Sequence, residues 1–500
     1  MNFVNSIDQN HRVRLQKIAH RVMLERGLYP DFSPAEIIEI NQMLPSTAAP
    51  RSDAPSIRDL RGLLWCSIDN DDSLDLDQLT VAEELQDGMV KVLVAVADVD
   101  SLVKDGTAID EHARYNTTSV YTAAEIFPML PEKLSNGLTS LNLNEDRPAI
   151  VIEMVIGLDG TLLNSNVYLA KVLNHAKLAY NSVAAWLEGN GAEPIEISAV
   201  QGLDDNLRLQ DRIAQSMRNL RHAHGALNLE TIEARPIFDG DQLSDLEIEE
   251  KNRAKNIIED FMIAANGVTA QYLSSKKFPS IRRMVRIPKR WDRIVEVAQE
   301  HGTTLPDSPD PVALEQFLSR QKEIDPVRFP DLSLTVVKLL GAGEYVAEKS
   351  DGAVPGHFGL AVKDYGHSTA PNRRYPDLIT QRLLKAAISD SAVPYTFDEL
   401  SSLAQHFTIQ EDAANKVERQ VGKSAAALLL ESKIGKQFDA IITGAAAKGT
   451  WVRLLDTPVE GKVVQGYEGL DVGHRVRVQL VAVNIEQGFI DFKTIHSARR

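Results

Sequence analysis

The order of apolar and polar positions divides the chain into a helical opening, a strand-rich stretch, a long helical stretch and a short strand-rich end. Leu15, Ile18 and Val22 recur at helical spacing, with Gly27 as a stop. Ser33, Pro34 and Glu36 then form a helix start, with a cap, a first-turn proline and a reciprocal glutamate. Ile37, Ile40 and Leu44 mark the apolar face of that second helix. Two helices joined by a short loop predict a helix-turn-helix-like module over residues 1–50, or a helical cap on the next domain. The stretch rich in Pro, Ser and Ala that runs to residue 57 reads as a linker.

From residue 61 to 185, LLWCSI, LTVAEEL and MVKVLVAVADV are strand-type runs, and Asp87-Gly88 is a hairpin signal between the last two. A further pair surrounds Asp159-Gly160. From 200 to 430 helices dominate, as in NIIEDFMIAANGVTAQYL and PDLITQRLLKAAI. Residues 434–495 return to short strands separated by glycine-containing turns, a pattern that suits a small OB-type barrel. The expected fold class is therefore α+β and multidomain. It comprises a helical N-terminal module, a mixed α/β domain over 58–430 and a C-terminal OB-type β-barrel over 431–500.

Composition narrows this picture without changing it. Five hundred residues suggest about three domains. The single cysteine, Cys66, excludes an intrachain disulfide and cysteine-rich zinc sites. The opening MNFVNSIDQNHRVR lacks the basic and apolar regions of a secretory signal. The strongest apolar run, VKVLVAVADV, is too short to span a bilayer and is interrupted by Lys91 and Asp98. A cytoplasmic protein with no membrane association is expected. The net charge of -16 argues mildly against nucleic acid as a partner, although the 431–500 segment, with 10 Lys+Arg against 8 Asp+Glu, is net +2.

The chemistry concentrates in SIDNDDSLDLDQLTV, residues 67–81. In extended chain Asp75 and Asp77 share a face, Asp69 has matching parity, and Leu74 and Leu76 point the other way as anchors. No Lys or Arg occurs from 62 to 90, so nothing local neutralises the strip. Two carboxylates about 4 Å apart repel by about 1 kcal/mol in water and about 4 kcal/mol at an effective dielectric of about 20. Such a strip needs cations, protons or distant arginines. A solvated acidic loop is the plain alternative, and the leucine alternation argues against it. An EF-hand loop beginning at Asp69 would need Gly at 74 and Glu at 80, where the chain has Leu74 and Thr80. Hard oxygen ligands favour Mg²⁺, with Mn²⁺ as a substitute, and paired ions of that kind suit in-line attack on a phosphodiester.

This strip resembles the metal-binding signature IDxxxxxDxDDA of the ribonuclease II (RNB) exoribonucleases. The resemblance continues through VAVADV, TSVYTAAEIFPMLPEKLSNGLTSLNLNEDRP, AKLAYNSVAAWL, IIEDFMIAAN, HFGLAVKDY and TAPNRRYPDL, over about residues 60–430. It implies that Asp69, Asp75 and Asp77 hold Mg²⁺ and organise the attacking water. Gln78 replaces the family's fourth aspartate and can ligate only through an uncharged amide oxygen. Arg373 falls on the arginine of the family's TSPIRRYPDL motif, which implies bidentate binding of the scissile phosphate; Ala370 and Asn372 depart from that motif.

By the same resemblance Tyr121 and Tyr180 contact the last nucleotides of bound RNA by stacking, and Glu259 lies near the 3′-terminal nucleotide, with Asp260 as the neighbouring candidate. Leu229 falls where relatives often carry a stacking phenylalanine. The basic run RRMVRIPKRW, residues 282–291, reads equally as an RNA path or a solvated face. Many family members begin with cold-shock-type barrels, so the chain is expected to be a reduced member. The implied function is Mg²⁺-dependent 3′-to-5′ hydrolysis of single-stranded RNA to nucleoside 5′-monophosphates, by a monomer with no obligate protein partner. The rival is an RNB-fold RNA-binding protein of impaired catalysis, motivated by Gln78.

Overall fold

The structure, a computed structural model, describes residues 10–43, 57–232, 234–248, 251–349, 352, 356–446 and 449–496. It opens with helices α1 (His11–Glu25) and α2 (Pro34–Gln42). Leu15, Ile18 and Val22 are buried, Gly27 follows the end of α1, and the Glu36 carboxylate takes the Ser33 N–H, as the sequence pattern predicts. The expected face of α2 is only partly used. Ile40 is buried, Ile37 is 45% exposed, and Leu44 lies outside the described residues. Each helix spends its apolar side on a different part of the molecule, α2 on the main core and α1 on a second one.

The main core surrounds a sheet of seven strands. In chain order its members are β1 (Arg58–Asp59), β2 (Cys66–Asp69), β3 (Gln78–Glu84) and β4 (Val90–Ala97). Helix α3 (Ala108–Asn116) and the small hairpin β5 (Val120–Tyr121) and β6 (Ile126–Phe127) intervene. Then come β7 (Asp146–Ile156), β8 (Leu162–Leu173) and β9 (Ala176–Ala179). The spatial order is β1-β8-β7-β4-β3-β2-β9. The outermost strands run parallel to their neighbours and the inner pairs are antiparallel. Both hairpin signals close real turns. Asp87 and Gly88 take φ of 62° and 75°, the left-handed geometry that such a turn requires. Gly160 has φ of 86°, and a Cβ there would lie 2.4 Å from the Ser216 carbonyl oxygen.

Helices α4 (Tyr180–Leu187), α5 (Leu203–Ala223) and, after a hairpin, α6 (Arg253–Ser275) follow. That hairpin, β10 (Ala234–Asp239) and β11 (Gln242–Ile248), lies in the stretch expected to be helical. So does the pair β12 (Ser280–Met284) and β13 (Glu344–Glu348), between which α7 (Trp291–Glu300), α8 (Pro311–Ile324) and α9 (Phe329–Leu340) pack on a core of their own. Helices α10 (Tyr375–Ile388) and α11 (Phe397–Leu430) complete this part.

The last strands, β14 (Gln437–Ala446), β15 (Gly449–Leu454), β16 (Glu460–Gln465), β17 (Arg475–Asn484) and β18 (Phe489–His496), close into the expected barrel in the order β14-β15-β16-β18-β17. It shares the second core with α1 and α11. A mostly buried pair, Arg453 Nη2 to Asp331 Oδ2 at 2.9 Å, ties it to α9. Among the described residues no helix is long and apolar enough to cross a membrane.

Candidate active site

The acidic strip lies at one end of the sheet. Asp69 ends β2 beside Ala179 of β9, and Gln78 begins β3 opposite Val96. The Ala97 N–H donates to the Asp77 carbonyl at 2.9 Å, which extends the β3–β4 pairing to Asp77. Leu76 is buried and anchors the strip as expected. Leu74, the other expected anchor, is 58% exposed. The turn at residues 70–73, closed by the Ser73 N–H on the Asn70 carbonyl at 3.1 Å, breaks the strand alternation before that position, which removes the parity argument for it.

Asp77 is the best-held carboxylate. It is 2% exposed. Its Oδ1 accepts the Asn372 N–H at 2.9 Å and its Oδ2 accepts Arg373 Nε at 3.1 Å. Asp75 Oδ2 accepts the Tyr121 hydroxyl at 3.1 Å, and the Tyr121 N–H donates to Glu418 Oε1 of α11 at 2.8 Å. Asp69 Oδ2 is buried with no hydrogen-bond partner among the described residues. Burial pushes Asp77 up to about 7; Arg373 pulls it back and Asp75 raises it further. Asp69 also rises to about 7, chiefly by burial, against Arg373 and with Asp77 and Asp75 adding to the rise. The cluster holds more negative charge than Arg373 neutralises.

Among the described residues no three carboxyl, imidazole or thiol groups gather so that they could hold a metal ion. Asp77 is turned to Asn372 and Arg373, and Asp75 to Tyr121. The donor chemistry fits a hard divalent cation nonetheless. The atoms are carboxylate oxygens, Asp69 Oδ2 lacks a donor, and the mutual repulsion of the acids is what a cation relieves.

Arg373 comes from a loop knitted to the rest of the site. Its carbonyl accepts the Ser119 N–H at 3.0 Å, and Thr118 pairs with Arg374. Ala370 N donates to Asp377 Oδ1 at 2.9 Å, and the Asn372 side chain takes the Thr139 hydroxyl at 2.6 Å. The two departures from the motif therefore sit in the wall, and the bond to Asp77 comes from the Asn372 main chain. The Arg373 side chain is 43% exposed, and its Nη1 and Nη2 make no hydrogen bond to a described residue.

Tyr180 follows directly on Ala179, the register partner of Asp69, and Lys255 Nζ stands 6.0 Å from its ring centroid. Glu259 lies one turn beyond Lys255 on α6. Its carboxylate is 40% exposed, with Arg218 Nη2 at 3.4 Å. Asp260 is locked away, 1% exposed, between Arg218 and Arg221. Gln78 is buried and its side chain forms no hydrogen bond to another described residue. Leu229 packs against the α7–α9 core.

The basic run 282–291 is largely consumed internally. Arg282 pairs with Glu348, Arg283 with Glu411 and Arg286 with Glu344, Arg290 donates to the Lys338 carbonyl, and Trp291 is buried. The sequence pattern near residues 67–81 does not signal Glu418, the Asn372 main chain, Lys177, which donates to the Ser73 carbonyl, or Ser140, whose hydroxyl accepts the Leu76 N–H and donates to the Leu74 carbonyl, each at 2.9 Å; all come from other segments.

A mixed α/β core with an acid strip at one sheet end and an appended OB-type barrel defines the class. Residues 57–390 match the RNB domain, and residues 436–494 match the RNase II-type exonuclease C-terminal S1 domain. The chain belongs to the RNB family. It is 30% identical to ribonuclease R of Vibrio parahaemolyticus over 94% of this chain and 59% of that protein. It is 31% identical to exoribonuclease 2 of Salmonella paratyphi B over 80% of this chain and 61% of that one. The chain thus spans about three-fifths of the length of these curated relatives. Its fold is similar to that of Mycoplasma genitalium RNase R in complex with ribose methylated single-stranded RNA, with a TM-score of 0.85 at 22% identity over 97% of this chain and 78% of that one.

Proposed function

We propose that this protein is a Mg²⁺-dependent exoribonuclease that removes nucleotides from the 3′ end of single-stranded RNA as nucleoside 5′-monophosphates. The observation that carries the proposal is the arrangement of Asp77, Arg373 and Asp69. A buried carboxylate faces an arginine whose Nη atoms make no hydrogen bond to a described residue, beside a second carboxylate whose Oδ2 has no donor among the described residues. The relatives named ribonuclease R and exoribonuclease 2, and the RNA-bound fold relative, support the substrate class.

In this reading Asp69, Asp75 and Asp77, with Gln78 as a neutral ligand, would hold divalent ions, whose chemistry would be to neutralise the acids and lower the pKa of the attacking water. Arg373 Nη1 and Nη2 bind the non-bridging oxygens of the scissile phosphate and stabilise the charge that develops there. Asp77 orients the water towards phosphorus. The P–O3′ bond breaks, the 3′ oxygen stays with the shortened chain and takes a proton, and the phosphate leaves on the 5′ side of the released nucleotide. Tyr121 and Tyr180 stack on terminal bases, and the exposed carboxylate of Glu259 reaches the terminal ribose.

The proposal extends to a catalytic unit over 58–430, an RNA-contacting barrel over 431–500, and a cytoplasmic monomer. The test is incubation of 5′-labelled and 3′-labelled unstructured RNA with Mg²⁺, Mn²⁺ or EDTA. Mononucleotides should appear first from the 3′ label, and EDTA should stop their release. Tight binding with no release in either metal would favour the binding-only rival.

A further inference from the structure

The segment from Asn70 to Leu74 joins the two halves of the carboxylate set, Asp69 on β2 and Asp75 and Asp77 ahead of β3. Its conformation sets how those acids stand to one another. The chain offers it no cation nearby in sequence, since residues 62–90 contain no Lys or Arg. Among the described residues, two cations reach it from elsewhere. Lys177 of β9 donates to the Ser73 carbonyl at 2.5 Å, and Arg235 Nη2 donates to Asp72 Oδ2 at 2.8 Å.

Arg235 belongs to the hairpin β10–β11, which among the described residues joins no other sheet. A two-stranded hairpin is marginal by itself. What holds this one is α1 with the second core. Leu243 and Leu246 are buried there. Arg12 lies over the Phe238 ring at 4.2 Å. Asp241, at the turn, accepts Asn10 Nδ2 through its side chain at 2.7 Å and the Arg12 N–H through its carbonyl at 3.1 Å. Leu243 N donates to His11 Nδ1 at 3.2 Å. The start of α1 therefore grips the turn of the hairpin, while the far end of β10 grips the acidic loop.

We propose that Arg235 is a positioning residue for the carboxylate loop, and that α1 acts as the strut that keeps it in place. Arg235 need not touch RNA or the reacting atoms. This rests on the reading of Asp69, Asp75 and Asp77 as the cation site, and it gives the N-terminal helix a task in that site.

The test is hydrogen exchange of residues 70–77 in chelated protein, together with Mn²⁺ binding followed by the free-ion resonance signal. The variants are Arg235→Ala, Arg235→Lys, Asp72→Ala, the double alanine and Asp241→Ala. An exposed pair of this kind predicts about two- to fivefold faster exchange in each alanine single at the pair, and a similar loss of Mn²⁺ affinity. The double should be no worse than the worse single, because one contact is removed either way. Arg235→Lys should recover part of the effect, and Asp241→Ala should loosen the loop although it lies at the other end of the hairpin. Unchanged loop exchange in Arg235→Ala, or additive effects in the double, overturns the proposal. Weakened RNA binding with unchanged exchange would instead make Arg235 a direct phosphate contact. If wild-type protein cleaves no RNA, the nuclease reading fails, while exchange and Mn²⁺ binding still decide the role of Arg235.

Discussion

Replacement of Asp77 by Asn should stabilise the chelated protein at alkaline pH. The folded state holds the Asp77 proton up to about 7, whereas the unfolded chain releases it near 3.8. Between those values the folded form binds more protons, so stability is full below the lower value and falls as pH rises through the upper one. A difference of about 3 pH units corresponds to about 4 kcal/mol at about 1.36 kcal/mol per unit. That is a ceiling, because Asp77 also repels Asp69, so the two acids do not titrate independently. Asn removes the charge and keeps one oxygen for the Asn372 N–H, but it weakens the bond from Arg373 Nε, a loss of about 1 kcal/mol. A net gain of about 1–3 kcal/mol at pH 8 should remain.

The assay is thermal unfolding in EDTA across pH 5 to 8, for wild type and Asp77→Asn. Wild type should lose stability as pH rises, the variant should lose less, and their order should reverse near pH 5, where the wild-type carboxyl is protonated. Mg²⁺ should restore wild type at pH 8 and do little for the variant. Equal pH slopes, or a variant that melts below wild type at pH 8, would show that the cluster is not strained by its own charge.

Arg373→Ala should lower kcat by about 10²- to 10³-fold, and Arg373→Lys should restore little, because a point charge does not reproduce the guanidinium fork; single-turnover cleavage of a short RNA measures both. Gln78→Asp should lower the Mg²⁺ concentration for half-maximal cleavage. It should also lower the melting temperature in EDTA, since it adds a buried charge beside raised carboxylates; an unchanged Mg²⁺ requirement would mean that position 78 takes no part in ion binding. Gly160→Ala should cost about 2 kcal/mol or more in denaturant unfolding, because the β7–β8 turn needs a positive φ and its Cβ would meet the backbone of α5 at Ser216.

Local physics was legible in the sequence. Helical spacing located α1, the Ser33-Pro34-Glu36 start located α2, and Asp-Gly pairs located two hairpins, because each depends on a few adjacent residues. The acidic strip was legible as a site for the same reason, since five aspartates between 69 and 77 with no basic residue nearby cannot be indifferent to charge. What meets that strip was decided by the tertiary structure. Arg373 is 296 residues from Asp77, and the donor beside it is the main chain of Asn372, which no side-chain pattern can announce. The structure also separated Glu259 from Asp260, adjacent in sequence and both in contact with Arg218: one is 40% exposed, and the other is sealed between Arg218 and Arg221. Periodicity failed where it was broken or shared. The turn at 70–73 left Leu74 exposed, and the basic run at 282–291 was absorbed into ion pairs with β13 and α11. Composition along the chain sets which segments want partners; which partners they receive depends on contacts hundreds of residues apart, and these exist only once the sheet and its helices have packed.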